Sequence, residues 1–224
     1  MTPSPASGPD SACRFFCFDG VDGVGKSTQV QLFCDWLRDL GRDVVTCRDP
    51  GSTPLGESIR RLLLDRHDKP MGRRSEMLLY MAARAQLVEE VIRPALRAGR
   101  TVVSDRFLLA NVAYQGHAGG LNPADIWSVG QVATDGVAPD LTFVLDMPVD
   151  AAGQRIRREL DRMEAQGRRF LDQVRQGFLA EAARHPDRIR VIAADRNIDA
   201  VQSDIRSASI HHRYPPVAEP RVAP

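Results

Sequence analysis

Residues 20–27 carry the most specific chemistry in the chain. Gly20-Val21-Asp22-Gly23-Val24-Gly25-Lys26-Ser27 fits the spacing G-x-x-x-x-G-K-[ST], and Thr28 follows directly. Glycines at those places let the backbone curl until successive N–H groups converge on one concavity, and the helix that follows adds partial positive charge there. A lysine directly after the last glycine reaches outer phosphates, and the next hydroxyl can ligate Mg²⁺. The flanks agree with the motif. Arg14-Phe15-Phe16-Cys17-Phe18 reads as a short strand, and the segment after the loop is apolar at Val30, Phe33 and Leu37, which is helix spacing. The chemistry implied is nucleoside triphosphate binding, with the reaction still open.

Two more features lie where a parallel sheet would gather ligands. Arg48 follows the strand-type run Asp43–Cys47, and Asp105-Arg106 follows Thr101-Val102-Val103-Ser104. Asp105 could hold Mg²⁺ or its waters, and Arg106 could grip an acceptor phosphate. The alternative for the pair is a surface ion pair, but its place at a strand end beside the phosphate loop favours function. A third feature is the run Arg155, Arg157, Arg158, Arg162, Arg168 and Arg169. On charge alone it is equally a solvated helix face or a mobile lid that brings cations to a transferring phosphoryl group.

These residues need a frame. Short apolar runs at 14–18, 43–47, 101–104, 139–146 and 189–192 alternate with helical segments. That alternation predicts βαβ units, hence a five-stranded parallel sheet with helices on both faces. Helices are expected over 55–65, from an N-cap at Ser75 to about Ala98 with a kink or break at Pro94, from Asn122-Pro123, from Asp150 into the arginine run, over 170–184, and from Ile198 to about Ser209. Gly41 is a plausible C-cap, and Gly116-His117-Ala118-Gly119-Gly120 is expected as a flexible loop. Residues 1–13 read as a disordered leader and 211–224 as a loose proline-rich tail around one domain, 14–210.

Composition bounds the rest. A formal net charge of +1 implies no general attraction to nucleic acid or membrane. The N-terminus lacks signal-peptide features and no apolar run has transmembrane length, so the cytoplasm is the expected compartment. The four cysteines, Cys13, Cys17, Cys34 and Cys47, include no second pair at zinc-site spacing and are expected as buried free thiols.

From about Phe15 to Ala194 the chain resembles the thymidylate kinase family, in several separated motifs. Asp19 to Thr28 looks like its phosphate loop, Arg48-Asp49-Pro50-Gly51-Ser52-Thr53 like its R-E-P-G-G-T loop, and Leu79 to Val88 like the helix whose aromatic stacks on thymine. Asp105-Arg106-Phe107 with Ala113-Tyr114-Gln115-Gly116 is similar to D-R-Y-x-x-S-x-x-A-Y-Q-G, and Glu159 to Glu164 resembles the lid. The resemblance implies a P-loop NTPase fold, transfer of the γ-phosphoryl of ATP to dTMP, Mg²⁺ as cofactor and a homodimer. It implies ATP contacts from Gly20, Val21, Asp22, Gly23, Val24, Gly25, Lys26, Ser27 and Thr28, and metal contacts from Ser27, Asp22 and Asp105. It implies that Arg48 and Arg106 hold the dTMP phosphate, that Asp22 sits near the sugar 3′-hydroxyl, and that Tyr80 stacks on thymine. Arg84 would donate to a thymine carbonyl, while Asn111, Tyr114 and Gln115 would line base and sugar. Hydrogen bonds rather than stacking must select the base, and Arg84 and Gln115 are suitable donors. Catalysis would fall to Lys26, Asp105, Arg106 and the lid residues Arg162 with Arg157 or Arg158.

The chain departs from the family pattern at Phe107, Ala110, Ser52 and around Ala118-Gly119-Gly120, where a cation is missing. One class of the family has arginine at the place of Gly23, so catalytic arginine is expected from the lid here. The rival expectations are a deoxynucleoside kinase, which would not need Arg48 and Arg106 to hold an acceptor phosphate, and a nucleotide-binding regulator of weak activity.

Overall fold

The computed structural model describes residues 14–65, 70–157, 159 and 161–212. The expected leader at 1–13, Cys13, part of the connection after Asp65, Arg158, Leu160 and the tail beyond His212 lie outside the described residues.

Five strands form one parallel sheet: β1 (Phe15–Asp19), β2 (Val44–Arg48), β3 (Thr101–Asp105), β4 (Leu141–Asp146) and β5 (Ile189–Ala193). Their order is β2-β3-β1-β4-β5, with every neighbouring pair parallel. β1 is central, and every one of its residues is buried. Side chains alternate across a strand. Phe16 and Phe18 therefore enter one core and Phe15 and Cys17 the other. In the first core Phe33 lies edge-on to Phe16, Phe18 and Phe143, with centroids 5.0, 5.5 and 5.6 Å apart. Cys17, Cys34 and Cys47 are buried and free, as expected.

The helices are α1 (Lys26–Asp39), α2 (Pro54–Leu64), α3 (Arg73–Leu87), α4 (Arg93–Arg97), α5 (Leu108–Asn111), α6 (Pro123–Thr134), α7 (Val149–Gln154), α8 (Arg168–Arg184) and α9 (Ile198–His211). Caps account for several boundaries. The Thr53 hydroxyl accepts from Gly56 N, Asn122 from Ala124 N and Asn197 from Ala200 N. Gly41 takes φ 77° just past α1, as its C-cap role requires.

Four expectations need correction. Ser75 is no cap: α3 begins at Arg73 with Gly72 before it, so Ser75 lies in its first turn. The helix does not break at Pro94. A widened, π-helical stretch (Val88–Ile92) joins α3 to α4, with Arg93 N on Val88 O directly before the proline, so the chain stays helical through Pro94. The helix from Asp150 stops at Gln154 instead of running through the arginines, which offer no apolar face to bury. The segment Gly116-His117-Ala118 is helical rather than loose, within a second π-helical stretch (Val112–Ala118) that continues α5.

That last correction has a physical cause in α8. Tyr114 packs edge-on to Phe170 and Phe178, 6.3 and 6.2 Å away between centroids. His117 Nε2 hydrogen-bonds the buried carboxylate of Glu181 at 2.9 Å, and Trp127 of α6 donates to the same carboxylate at 3.1 Å. Glycine at 177 allows the approach, since a Cβ there would meet His117 Cβ at 2.7 Å. Gly177→Ala would gain about 1 kcal/mol of helix propensity. Against that, overpacking against a ring root that cannot swing aside costs about 1–3 kcal/mol. A net loss of stability is expected, read as a lower urea midpoint at unchanged slope.

Candidate active site

β1, β2 and β3 end at one edge of the sheet, and the side chains that follow them meet there. A cavity of about 860 Å³ is lined by residues 22–29 of the phosphate loop and α1, by Arg48, Asp105 and Arg106, and by Arg155 and Arg196. A narrower cleft beside it is lined by Asp49, Tyr80, Arg84, Asn111, Tyr114 and Gln115, among others. Asp22, Arg60 and Arg106 line both. The two are therefore ends of one site, joined where these three side chains stand.

The phosphate loop is held tightly from below. A Cβ on Gly23, whose φ is 86°, would lie 2.1 Å from the Ala152 carbonyl oxygen, so no side chain of any kind fits there with α7 in place. Lys26 is buried and donates to the carbonyls of Gly20 at 3.1 Å and Val21 at 2.9 Å, and to Asp22 at 3.3 Å. Gly20 and Val21 thus serve through their carbonyls, while Asp22 to Thr28 face the cavity. Burial lowers the Lys26 pKa, and the nearby Arg106 lowers it further.

Arg106 joins the two halves. Its Nη1 donates to Gly20 O at 3.0 Å and its Nη2 to Asp22 Oδ1 at 2.7 Å, and its guanidinium lies 5.1 Å over the Tyr114 ring. Its φ is 69°, a left-handed conformation that non-glycine residues adopt at a cost and that clusters at functional sites. Burial alone would raise the Asp22 pKa, but Arg106 and Lys26 outweigh it and hold the carboxyl well below its ordinary range. Arg60 on α2 donates to Pro50 O at 2.9 Å, and its pKa is lowered by burial and by the neighbouring Arg48. Arg48 itself is ion-paired with Glu57 at 3.0 Å. Guanidinium groups this close repel one another until an anion comes between them.

Two buried carboxylate oxygens nearby, Asp19 Oδ1 and Asp105 Oδ1, have no hydrogen-bond partner among the described residues. β1 pairs with β3 so that Phe18 opposes Asp105, which sets Asp19 one step further along the adjacent strand. Burial pushes Asp19 up to about 7, against the opposing pull of Arg106 and Lys26. No group of three or more metal-ligating side chains exists among the described residues. Open carboxylate oxygens without a complete cage suit Mg²⁺, which keeps waters and takes one or two carboxylates beside substrate phosphates. Asp22 fits that role less well, because Arg106 and Lys26 engage Oδ1 and the Tyr114 hydroxyl donates to Oδ2 at 3.3 Å.

On the cleft side, Arg84 and Asp49 form an ion pair at 2.6 Å, with side chains 1% and 0% exposed. The Gln115 amide donates to Glu76 at 2.8 Å, so the donor expected for a base is already engaged. Arg162 does not face the phosphate loop. Its Nη2 pairs with Glu76, its Nε donates to Leu63 O at 2.7 Å and its backbone N to Leu64 O at 3.2 Å. These ties hold it on α2 and α3, away from the place expected of a phosphoryl-stabilising arginine. Arg155 lines the larger cavity instead, and Arg157 is exposed.

Sequence reasoning gave no role to Asp19, Asp49, Arg60, Glu76 or Arg196, and marked Arg155 only as one of a basic run. A signal existed for Asp19, a carboxylate closing a buried strand just before the loop. Arg60 and Glu76 stand out only once α2 and α3 are packed together.

Known proteins resemble the chain over most of its length. The family described as thymidylate kinase matches residues 18–205. A thymidylate kinase of Chromohalobacter salexigens is 47% identical over 196 residues, covering 86% of this chain and 92% of the relative. One from Rhodopirellula baltica is 44% identical over 197 residues, covering 88% and 80%. The crystal structure of thymidylate kinase from Ehrlichia chaffeensis superposes with a TM-score of 0.73 at 29% identity, over 87% of this chain and 97% of that one.

The contact beneath the loop yields a test. Gly23→Ala must leave a left-handed conformation that costs alanine about 1–2 kcal/mol, or displace the Ala152 carbonyl. Titration with a non-hydrolysable ATP analogue is expected to show at least about tenfold weaker binding, equivalent to about 1.4 kcal/mol. Unchanged affinity would mean that α7 does not brace the loop.

Proposed function

The chain belongs to the thymidylate kinase family and is an ATP-dependent phosphotransferase acting on dTMP; on that premise we propose how its residues divide the reaction. The observation that carries the assignment is the sharing of Asp22, Arg60 and Arg106 by the two cavities. Two guanidinium groups at the junction of the cavities support a reading in which a donor and an acceptor phosphate meet there, as in-line phosphoryl transfer requires.

In this reading residues 20–28 cradle the triphosphate of ATP, and Lys26 leaves the loop carbonyls for the outer phosphates. Arg48, Arg60 and Arg106 hold the 5′-phosphate of dTMP, with bidentate geometry available to each guanidinium. Tyr80 stacks on thymine, and Asn111, Tyr114 and Arg84 line base and sugar. Arg157, as first expected, and Arg155, in the part first expected of Arg162, supply charge from the lid to the transferring group. Ser27, Asp105 and Asp19 would hold Mg²⁺, which when bound would supply positive charge to offset that of the phosphates. A deoxynucleoside kinase would have no use for Arg60 and Arg106 at the junction of the two cavities with Arg48 beside them.

The resemblance further supports a homodimer. Leu55 and Leu62 on α2 and Leu78 on α3 are 50%, 48% and 53% exposed on helices packed side by side, an apolar surface suited to a second copy. No helix among the described residues is long and apolar enough to cross a membrane. A cytoplasmic location is part of the proposal.

A coupled ADP-release assay across dTMP, dUMP, dCMP, dGMP and CMP is expected to show the highest kcat/KM with dTMP. Fastest turnover on a cytidylate or guanylate would refute the substrate assignment. Asp105→Asn is expected to raise the Mg²⁺ concentration for half-maximal rate by about tenfold or more while ATP binding without metal stays near wild type. An unchanged Mg²⁺ dependence would remove Asp105 from the metal site.

A further inference from the structure

The acceptor cleft is bounded by a chain of buried polar groups whose direction is set from one end. Glu76, on α3, is 8% exposed. Its Oε2 receives the Arg162 guanidinium and its Oε1 receives the Gln115 side-chain amide at 2.8 Å. A carboxylate paired in this way only accepts, so the NH₂ of Gln115 must face it. The Gln115 carbonyl oxygen is thereby turned toward Asn111, whose Nδ2 donates to it at 2.7 Å. Asn111 has then used its donor side, and its Oδ1 is left buried with no partner among the described residues, on a side chain that lines the cleft. Arg84 complements it. Nε and Nη1 are engaged by Asp49 and Met81, while Nη2 has no partner among the described residues.

The cleft therefore offers an acceptor fixed by Glu76 and a donor fixed by Asp49. The imide edge of thymine or uracil presents an N3–H donor beside an O4 acceptor. Cytosine presents the reverse, an N3 acceptor beside an amino donor. A buried polar atom left unpaired by the wrong ligand discriminates more strongly than shape does. We propose that Glu76 is a positioning residue that determines base specificity: through Gln115 it holds Asn111 with Oδ1 toward the cleft, so that the site takes imide bases and rejects cytosine. Its contact with Arg162 ties the same carboxylate to the lid segment. The proposal rests on the reading of the cleft as the dTMP site.

The measurement is the ratio of kcat/KM for dTMP to that for dCMP. In Glu76→Gln the side chain at 76 can present either an oxygen or an NH₂ to Gln115, so the relay can run both ways. The ratio is expected to fall by about tenfold or more, carried by KM for dTMP. Arg162→Leu leaves Glu76 on Gln115, and the ratio is expected to stay within about threefold of wild type even where both KM values rise. A merely structural role for Glu76 would move both substrates together and leave the ratio alone, which would overturn the proposal. Should Glu76→Gln prove unfolded by circular dichroism, Gln115→Met breaks the relay while keeping the Glu76–Arg162 pair, and the same fall is expected of it. A retained ratio there also overturns the proposal. On the wild-type enzyme, dTMP is expected to bind far more tightly than dCMP and than N3-methyl-dTMP, which lacks the donor. Equal binding of dCMP and dTMP overturns the proposal without any variant. If wild type fails to phosphorylate dTMP at all, the reading of the site fails. If it turns over dTMP and only the ratio is insensitive to position 76, the relay alone fails.

Discussion

The guanidinium of Arg106 is the fixed point of the molecule. It donates to Gly20 O and Asp22 Oδ1 on the side of the phosphate loop and lies over the Tyr114 ring on the side of the cleft. Its own backbone N donates to Phe18 O at 2.9 Å, so the tie between β3 and β1 continues past the end of the strands. A left-handed φ of 69° turns the chain there so that the side chain enters the site. Such a conformation persists where surrounding contacts over-determine it. The Ser104 hydroxyl, which donates to Arg106 O at 2.7 Å, is one of them. A charge withdrawn this far from water, with 16% of the side chain exposed, is tolerable only among carboxylates. Asp22 and Asp19 supply them, and the pKa of Asp22 is held down as a result.

Around that point the two halves are supported differently. The half at the phosphate loop is mostly backbone: loop carbonyls and amides at the head of α1, closed from below by α7 at Gly23. Backbone geometry suits a ligand whose charge is the same in every nucleotide. The half at the cleft is built from side chains in buried networks, Arg84 on Asp49 and Gln115 on Glu76. Networks of this kind are costly when half satisfied, and for that reason they specify a ligand that completes them. α8 stands behind this half. It packs Phe170 and Phe178 on Tyr114 and sets Glu181 under His117 and Trp127, which converts an apparent loop into a rigid wall.

The lid segment shows how one residue type can be read two ways. Arg155, Arg157 and Arg162 look alike in a list of basic residues. In the fold Arg155 lines the larger cavity beside the phosphate loop, whereas Arg162 is anchored on α2 and α3 through Leu63 O and Glu76. Chain direction decides the difference, because the helix from Val149 ends at Gln154, and by Arg162 the backbone N donates to Leu64 O of α2 at 3.2 Å.

The sequence alone determined the phosphate loop, the parallel α/β sheet and the placing of Arg48, Asp105 and Arg106 at strand ends. Each of these is written in contiguous residues: glycine spacing, apolar period and strand length act within a few turns of chain. It also carried the identity of the cleft residues Tyr80, Arg84, Asn111, Tyr114 and Gln115, all of which line one cavity. Tertiary structure alone decided which donors remain for a ligand. Gln115 gives its amide to Glu76, 39 residues away, and Arg162 reaches the same acid across 86 residues. Arg60 joins the site because α2 packs on α3 beside the loop at Pro50. A hydrogen bond depends on distance and direction in space, and across such separations no local pattern in the chain records either.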